Sequence, residues 1–265
     1  AEVMQKTLDY RIDLSIISNG QKLTGEKAEI LKNAKWVRIS AGECDAEGFK
    51  KTRRRPEKWF YELKENLANF SKIKNPDCEF GINYVVHEGN FDKIYDSVKY
   101  FKGLGVNHIK ITPCWNPDFI DYHEPLKPTS LAQIASARAD FQAEGFTVYD
   151  TYENDFKLTG LSDRNYDKCS IMQIIPVIGA DAAVYFCHDK TYSVNGCLGS
   201  IKNRSFKNLW FSEEAAKIFR EFNPREECQH HCTYDSRNLL TLEMLGNMEN
   251  LDKYKPKSEK HKNFP

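Results

Sequence analysis

The chain has 265 residues, and its 38 Lys+Arg balance 38 Asp+Glu, so the formal net charge is zero. That balance excludes a global electrostatic pull toward nucleic acid or an anionic membrane. An apolar fraction of 40% with 12% aromatics supports a real core, in one large α/β domain or a medium and a small one, while no apolar run approaches the ~20 residues that cross a bilayer.

Residues 12–17 form a short apolar strand pattern closed by the turn signal Ser18-Asn19-Gly20. Thr24 is placed to cap the helix that follows. Residues 36–40 (WVRIS) read as the next strand. Pro56 then stands at a first-turn position ahead of Trp59, Phe60, Leu63, Leu67 and Phe70, which repeat at helical spacing. Phe80, Ile82, Tyr84 and Val86 alternate as a strand. Asn90 caps a helix with Phe91, Ile94, Val98 and Phe101 on one face, stopped at Gly103 and Gly105. Residues 106–111 are a strand ending at Thr112-Pro113. A helix from about Ser130 to Glu144 stops at Gly145, and residues 146–149 suit one more strand.

Strands alternating with helices imply a parallel sheet, because each crossover returns the chain to the same edge in the same direction. The pattern is compatible with a barrel or an open sheet. In either, chemistry gathers at the C-terminal ends of the strands: here Ser18 to Gly20, Ser40 to Glu43, His87 to Asn90 and Thr112 to Trp115.

Beyond residue 152 the character changes. Residues 154–167 read as a polar linker. Residues 174–178, Gly179-Ala180-Asp181 and residues 183–186 read as a β-hairpin delivering Cys187. Ser212-Glu213-Glu214 opens a helix with Ile218, Phe219 and Phe222, which Pro224 ends. The expected organisation is an α/β domain over 1–152, a small α+β cysteine-rich domain over 153–240, and a Lys-rich, disordered tail over 241–265.

Five of the eight cysteines lie between Cys169 and Cys232. In a large, charged chain with nothing that marks it for export, this array suggests a cytoplasmic location and metal binding before disulfides. Cys44, Cys78 and Cys114 are isolated and read as ordinary thiols. Cys228 and Cys232 are close enough to share a metal, and folding the helix back over the hairpin brings Cys169 and Cys187 to them. Cys197 falls in an apparent turn, Gly196 to Gly199, and is set aside. His188, His230 and His231 are alternative ligands, so zinc and iron–sulfur both fit. The basic run from Lys50 to Arg55 reads as a solvated face, and Trp115, after the last strand, reads as a rim or core aromatic.

The series Cys169…Gly179-Ala-Asp…Val184-Tyr-Phe-Cys187, Leu198-Gly199, Asn208-Leu-Trp210, Phe219, Pro224…Cys228…Cys232-x-x-Asp235 resembles the SPASM-type C-terminal domain of radical SAM enzymes, in a single-cluster form. The first half agrees. Ile16-Ile17-Ser18-Asn19-Gly20 looks like the barrel strand ending in TNG, Trp36 to Ser40 like the strand after it, and residues 82–90 and 105–111 like the last two barrel strands. The resemblance implies a partial parallel (β/α) barrel and an auxiliary 4Fe–4S cluster on Cys169, Cys187, Cys228 and Cys232. It also implies S-adenosyl-L-methionine (SAM) contacts at Ser18, Asn19, Ser40, Glu43 and Trp115; the family's Ser-Leu-Asp stands here as Ser40-Ala41-Gly42, so its carboxylate contact comes from Glu43 or Asp45 or is absent. The implied reaction is hydrogen abstraction by a 5′-deoxyadenosyl radical from a peptide or small-molecule substrate, with an electron donor such as flavodoxin or ferredoxin, and no membrane or nucleic-acid partner.

Two family features do not occur in these residues: the Cys-x-x-x-Cys-x-x-Cys loop of the second 4Fe–4S cluster and the GGEP-like strand end. The expectation is that the first two barrel units precede Ala1 and that the chain as given is inactive. The rival from another class is a non-catalytic zinc-binding interaction module on an α/β domain.

Overall fold

The structure is a computed structural model that describes residues 1–116, 118–153, 164, 166–228, 232 and 234–254. Two compact units divide the chain, Ala1–Lys157 and Leu158–Pro265.

The first unit is built on five strands, β1 (Ser15–Ser18), β2 (Trp36–Ser40), β3 (Glu79–Val86), β4 (His108–Pro113) and β5 (Thr147–Asp150). They pair in chain order and every pairing is parallel. An open doubly wound sheet reverses its strand order at a switch point. This sheet never reverses, so it winds in one sense, as a barrel wall does.

The helices are α1 (Glu2–Asp9), α2 (Gly25–Leu31), α3 (Ala46–Arg53), α4 (Lys58–Ile73), α5 (Ile94–Gly103), α6 (Phe119–His123) and α7 (Lys127–Phe141). α1 precedes the sheet in a stretch to which the sequence reading assigned no element, and the first strand begins at Ser15 rather than at residue 12. In α4 the buried residues Phe60, Leu63, Leu67 and Phe70 fall on one stripe. They meet Val37, Ile39, Phe80, Ile82, Ile109, Ile111 and Val148 in one core with Ile94, Val98 and Phe101 of α5 and Ile134 of α7. Each fully buried side chain of this kind contributes roughly 1.5–3 kcal/mol relative to exposure.

The opposite face of the sheet has another character. Register aligns Ile17, Arg38, Gly81, His108 and Thr147 in one row. Arg38 lies over the Trp36 ring at 4.8 Å, and His108 meets the Tyr149 ring edge at 5.5 Å. A parallel sheet is ordinarily apolar on both faces. Here one face packs the helices and the other is lined with polar, aromatic and cationic groups.

The second unit has a three-stranded antiparallel sheet, β6 (Val177–Ile178), β7 (Ala183–Tyr185) and β8 (Cys197–Ser200), in that order. The expected hairpin is β6–β7. The segment read as a turn at Gly196 to Gly199 is instead β8, which pairs with β7 across a bulge at Val184/Tyr185. Among the described residues four helices follow: α8 (Phe206–Trp210), α9 (Glu213–Glu221), α10 (Pro224–Glu227) and α11 (Asp235–Leu245). Ser205, Ser212 and Asn223 cap the first three by accepting the amides of Asn208, Ala215 and Arg225. Pro224 therefore does not simply end a helix; it opens α10 at a position where its missing N–H costs nothing.

Helical structure continues past residue 241, through α11 and a 3-10 segment, Met248–Tyr254, so this part of the expected tail is ordered. Residues 255–265 lie outside the described residues, as do 154–163 and 165 of the expected linker. A small core of Met172, Val184, Phe186, Leu198, Leu209, Ala215 and Phe222 joins sheet to helices, and Cys169, Cys187 and Cys228 pack against it.

A Cβ added at Gly81 would run into the His108 ring on the polar face, whereas one at Gly103 meets nothing within 4 Å. Gly81→Ala is expected to destabilise the chain by about 1–3 kcal/mol through overpacking. Gly103→Ala should be neutral or stabilising by up to about 1 kcal/mol. Urea denaturation of the two variants checks this; equal effects would contradict the close approach of the His108 ring to the β3 backbone at Gly81.

Candidate metal centre

Three local devices deliver the cysteines. Cys169 stands just ahead of the 3-10 turn Ile171–Gln173, Cys187 follows β7, and Cys228 ends α10, four residues before Cys232. Cys169, Cys187, Cys228 and Cys232 line one cavity. The rest of its wall is largely apolar, with Ile171, Met172, Ile175, Phe186, Phe222 and Pro224. Cys197 heads β8 and does not line it; its Sγ lies 3.9 Å from the Gly199 carbonyl.

Burial pushes all four thiols above their ordinary range, Cys228 to about 12. Mutual repulsion adds to this. Cys228 is raised further by Cys232, Cys187 and Cys169, while Cys169 is raised by Cys232, Cys187 by Cys169, and Cys232 by Cys187. Every pair among the four is thus close enough to repel when ionised. Four thiolates in an apolar pocket are tenable only around a cation.

Backbone amides already point at the sulfurs. Those of Met172 and Ile171 favour ionised Cys169, those of Asp189 and Lys190 favour Cys187, and that of Tyr234 favours Cys232. This donor set fits an iron–sulfur cluster or a tetrahedral zinc ion.

Of the alternative ligands, His188 directs Nε2 at Asp189 Oδ1, 2.9 Å away, and sets its ring against Tyr234. One ligand atom from each of Cys187, His188 and Asp189 falls within 4.8 Å of the others, but neither His188 nor Asp189 lines the cavity. His230 and His231 lie outside the described residues.

Sequence reasoning did not find Arg164, which lines the cavity at 4% exposure. Its Nη1 donates to Asp235 Oδ1 at 2.9 Å, and Tyr166 donates its hydroxyl to the same oxygen at 2.7 Å.

In the first unit a second cavity lies at the C-terminal ends of β2 and β3. Ser40, Gly42, Glu43, Arg53, Asn83, His87 and Asn90 are among its lining residues. Glu43 is buried and accepts from Arg53 Nε at 3.2 and 3.3 Å and from the Gly42 amide at 3.2 Å. Arg53 Nη2 donates to the Ser40 carbonyl at 2.8 Å. The basic run is therefore not uniformly solvated: Arg53 leaves it to hold Glu43, while Lys50, Lys51, Arg54 and Arg55 remain exposed. Burial lowers the His87 pKa, and its Nδ1 accepts the Gly89 amide, so a neutral ring faces this cavity.

The other three expected SAM contacts do not line this cavity. Ser18 and Asn19 accept the amides of Gly20 and Gln21, shaping the turn after β1. Trp115 is 81% exposed.

Residues 169–233 match the SPASM family, described as an iron–sulfur cluster-binding domain. The chain carries a SPASM domain. All four cavity cysteines fall within the matched segment. Streptococcus suis SuiB bound to S-adenosylmethionine has a similar structure, with a TM-score of 0.58, 10% identity and coverage of 82% of this chain and 52% of SuiB. SuiB bound to the precursor peptide SuiA gives 0.56, 13%, 83% and 52%. Histidine-tagged anSMEcpe with bound AdoMet gives 0.52, 22%, 87% and 66%. No curated protein matches the chain.

The SPASM match bears out the SPASM part of the resemblance, over residues 169–233, and the similar structures bear out the mixed α/β fold expected with it. The chain spans about half the length of the SuiB structures. None of the described helices is long and apolar enough to cross a membrane.

Because burial raises the thiol pKa values of the SPASM domain, the metal-free sulfurs stay protonated through neutral pH, and metal binding must displace those protons. Zinc titration of the metal-free chain in weak buffer near neutral pH should release about four protons per ion, one from each thiol, and affinity should rise with pH. Release of fewer than about two, or affinity independent of pH, would contradict a four-thiol site.

Proposed function

We propose that this chain is the C-terminal portion of a radical SAM enzyme whose SPASM domain holds one auxiliary 4Fe–4S cluster on Cys169, Cys187, Cys228 and Cys232. The observation that carries this reading is that these four thiols, from one SPASM-matched segment, share an apolar cavity to which Cys197 does not contribute. When bound, SAM supplies on one-electron reduction a 5′-deoxyadenosyl radical that takes hydrogen from substrate, and the auxiliary cluster supplies electron transfer or a substrate ligand site.

The chain's own residues bind, orient and exclude water. Ile171, Met172, Phe186 and Phe222 keep solvent from the sulfurs, which favours tight thiolate ligation and sets the local dielectric. At the β2–β3 cavity, Arg53 holds the Glu43 carboxylate in place. A carboxylate has about four acceptor sites, so Glu43 keeps capacity for a ribose hydroxyl while bonded to Arg53. Ser40 offers a hydroxyl at the same rim, and Ser18 and Asn19 form the neighbouring strand end.

The polar face of the sheet, with Arg38, His108 and Tyr149, suits a substrate rich in hydrogen-bonding groups. A peptide is the proposed class, supported by the similarity to SuiB, a structure of which contains the precursor peptide SuiA. Flavodoxin or ferredoxin is the proposed electron source. The cluster at which SAM is reduced needs three further cysteines in the Cys-x-x-x-Cys-x-x-Cys spacing, which these 265 residues do not contain.

Prepared without oxygen, the chain should contain about four iron and four sulfide, as a 4Fe–4S cluster requires. Cys228→Ala or Cys232→Ala should remove most of the iron while Cys197→Ala leaves it. Colourless protein with one zinc and no iron would contradict the reading in favour of the zinc module. Incubated with SAM and dithionite, the chain alone should yield no 5′-deoxyadenosine; sustained release would refute the assignment of the SAM-reducing cluster to other residues.

A further inference from the structure

Two cations reach the SPASM cavity, and they differ in their surroundings. Lys190 lines it from a partly exposed position, with Nζ donating to the Glu227 carbonyl at 2.5 Å. Water and salt screen such a charge. Arg164 is another case. Its side chain is 2% exposed, and Asp235, whose side chain is 10% exposed, is its ion-pair partner.

The pair is oriented. Arg164, Tyr166 and Asn238 line the cavity, but Asp235 does not. The guanidinium opposes the rise that burial imposes on Cys169 and Cys232. The positive end therefore faces the sulfurs and the negative end faces away.

The surrounding bonds fix that direction. Tyr166 donates to Asp235 at 2.7 Å, and burial together with the carboxylate keeps the phenol protonated. Asn238 accepts the Ser170 amide and hydroxyl at 2.7 and 2.8 Å and donates to the Lys168 carbonyl at 3.0 Å, which ties α11 to the segment carrying Cys169. Arg225 Nε donates to the Arg164 carbonyl at 3.1 Å, which ties α10 to the same place.

We infer that the buried Arg164–Asp235 pair is an oriented dipole that stabilises the reduced, more negative state of a cluster held by Cys169, Cys187, Cys228 and Cys232, and so raises its reduction potential. The inference rests on the cluster reading above. Arg164 acts through charge at close range and is not a ligand. A cluster with four thiolate ligands gains one negative charge on reduction, so a fixed positive end nearby favours that state and a negative end opposes it.

The decisive feature is a pair of opposite signs. In the full 265-residue chain, reconstituted with iron and sulfide, potentiometric titration followed by electron paramagnetic resonance reads the midpoint directly. Arg164→Gln should shift it to more negative values. Asp235→Asn, which removes only the far negative end, should shift it to more positive values. Arg164→Lys, which keeps the charge, should fall between the wild type and Arg164→Gln.

A purely structural pair would leave the potentials of iron-replete variants unchanged, and that result overturns the inference. So does a negative shift in Asp235→Asn. If Arg164→Gln fails to retain iron because Asp235 loses its ion pair, Asp235→Asn and the double variant Arg164→Gln/Asp235→Asn decide instead. The double variant should shift negative, since the nearer charge dominates. A wild-type chain that takes up no iron overturns the cluster reading itself; a wild-type chain with full iron and unshifted variants overturns the dipole alone.

Discussion

Four sulfurs packed into one apolar cavity cannot all ionise without a cation among them, and the rest of the second unit is arranged around that constraint. Burial and mutual repulsion both push the Cys169, Cys187, Cys228 and Cys232 thiols up. The backbone answers with amides aimed at Cys169, Cys187 and Cys232, and a buried guanidinium stands at the wall. A small core of about seven buried side chains supports these loops. By scaling, a domain this small buries little apolar surface, so a bound metal centre would add stabilisation that the core alone does not supply.

The first unit follows a different logic. Its core lies wholly between the helices and one face of the sheet, and this frees the other face to carry Arg38, His108 and Tyr149. Strand ends then concentrate polar groups at one rim, where Arg53 crosses from α3 to hold Glu43 beside Ser40. A buried carboxylate held by a guanidinium and a backbone amide is a fixed acceptor at this rim.

Much of this was legible in the sequence. Helical stripes such as Phe60, Leu63, Leu67 and Phe70, and alternation such as Phe80, Ile82, Tyr84 and Val86, predicted elements that the structure contains. The spacing of Cys228 and Cys232 pointed to a shared centre, the order of hairpin and helix offered Cys169 and Cys187 as its other two ligands, and the family resemblance pointed to the same four. What stayed hidden depends on tertiary pairing. β8 follows Gly196 and contains Gly199, and it looks like a turn until β7 is laid beside it. Arg53 is indistinguishable from its basic neighbours by composition, and only the fold selects it. Arg164 meets Asp235 across a separation of 71 residues, from a polar stretch with no periodicity to mark it. The singly wound strand order, which separates barrel wall from open sheet, likewise has no local signal.

The central claim concerns which four sulfurs act together, and differential alkylation tests it most directly. The anaerobically reconstituted chain is treated with iodoacetamide, and each cysteine is then quantified by peptide mass spectrometry against the metal-free, denatured chain. The account predicts that Cys169, Cys187, Cys228 and Cys232 are protected together and become reactive together on chelation, while the partly exposed Cys197 is modified throughout. Protection of Cys197, or modification of Cys169 or Cys187 at the rate of Cys197 in the iron-loaded chain, would contradict it.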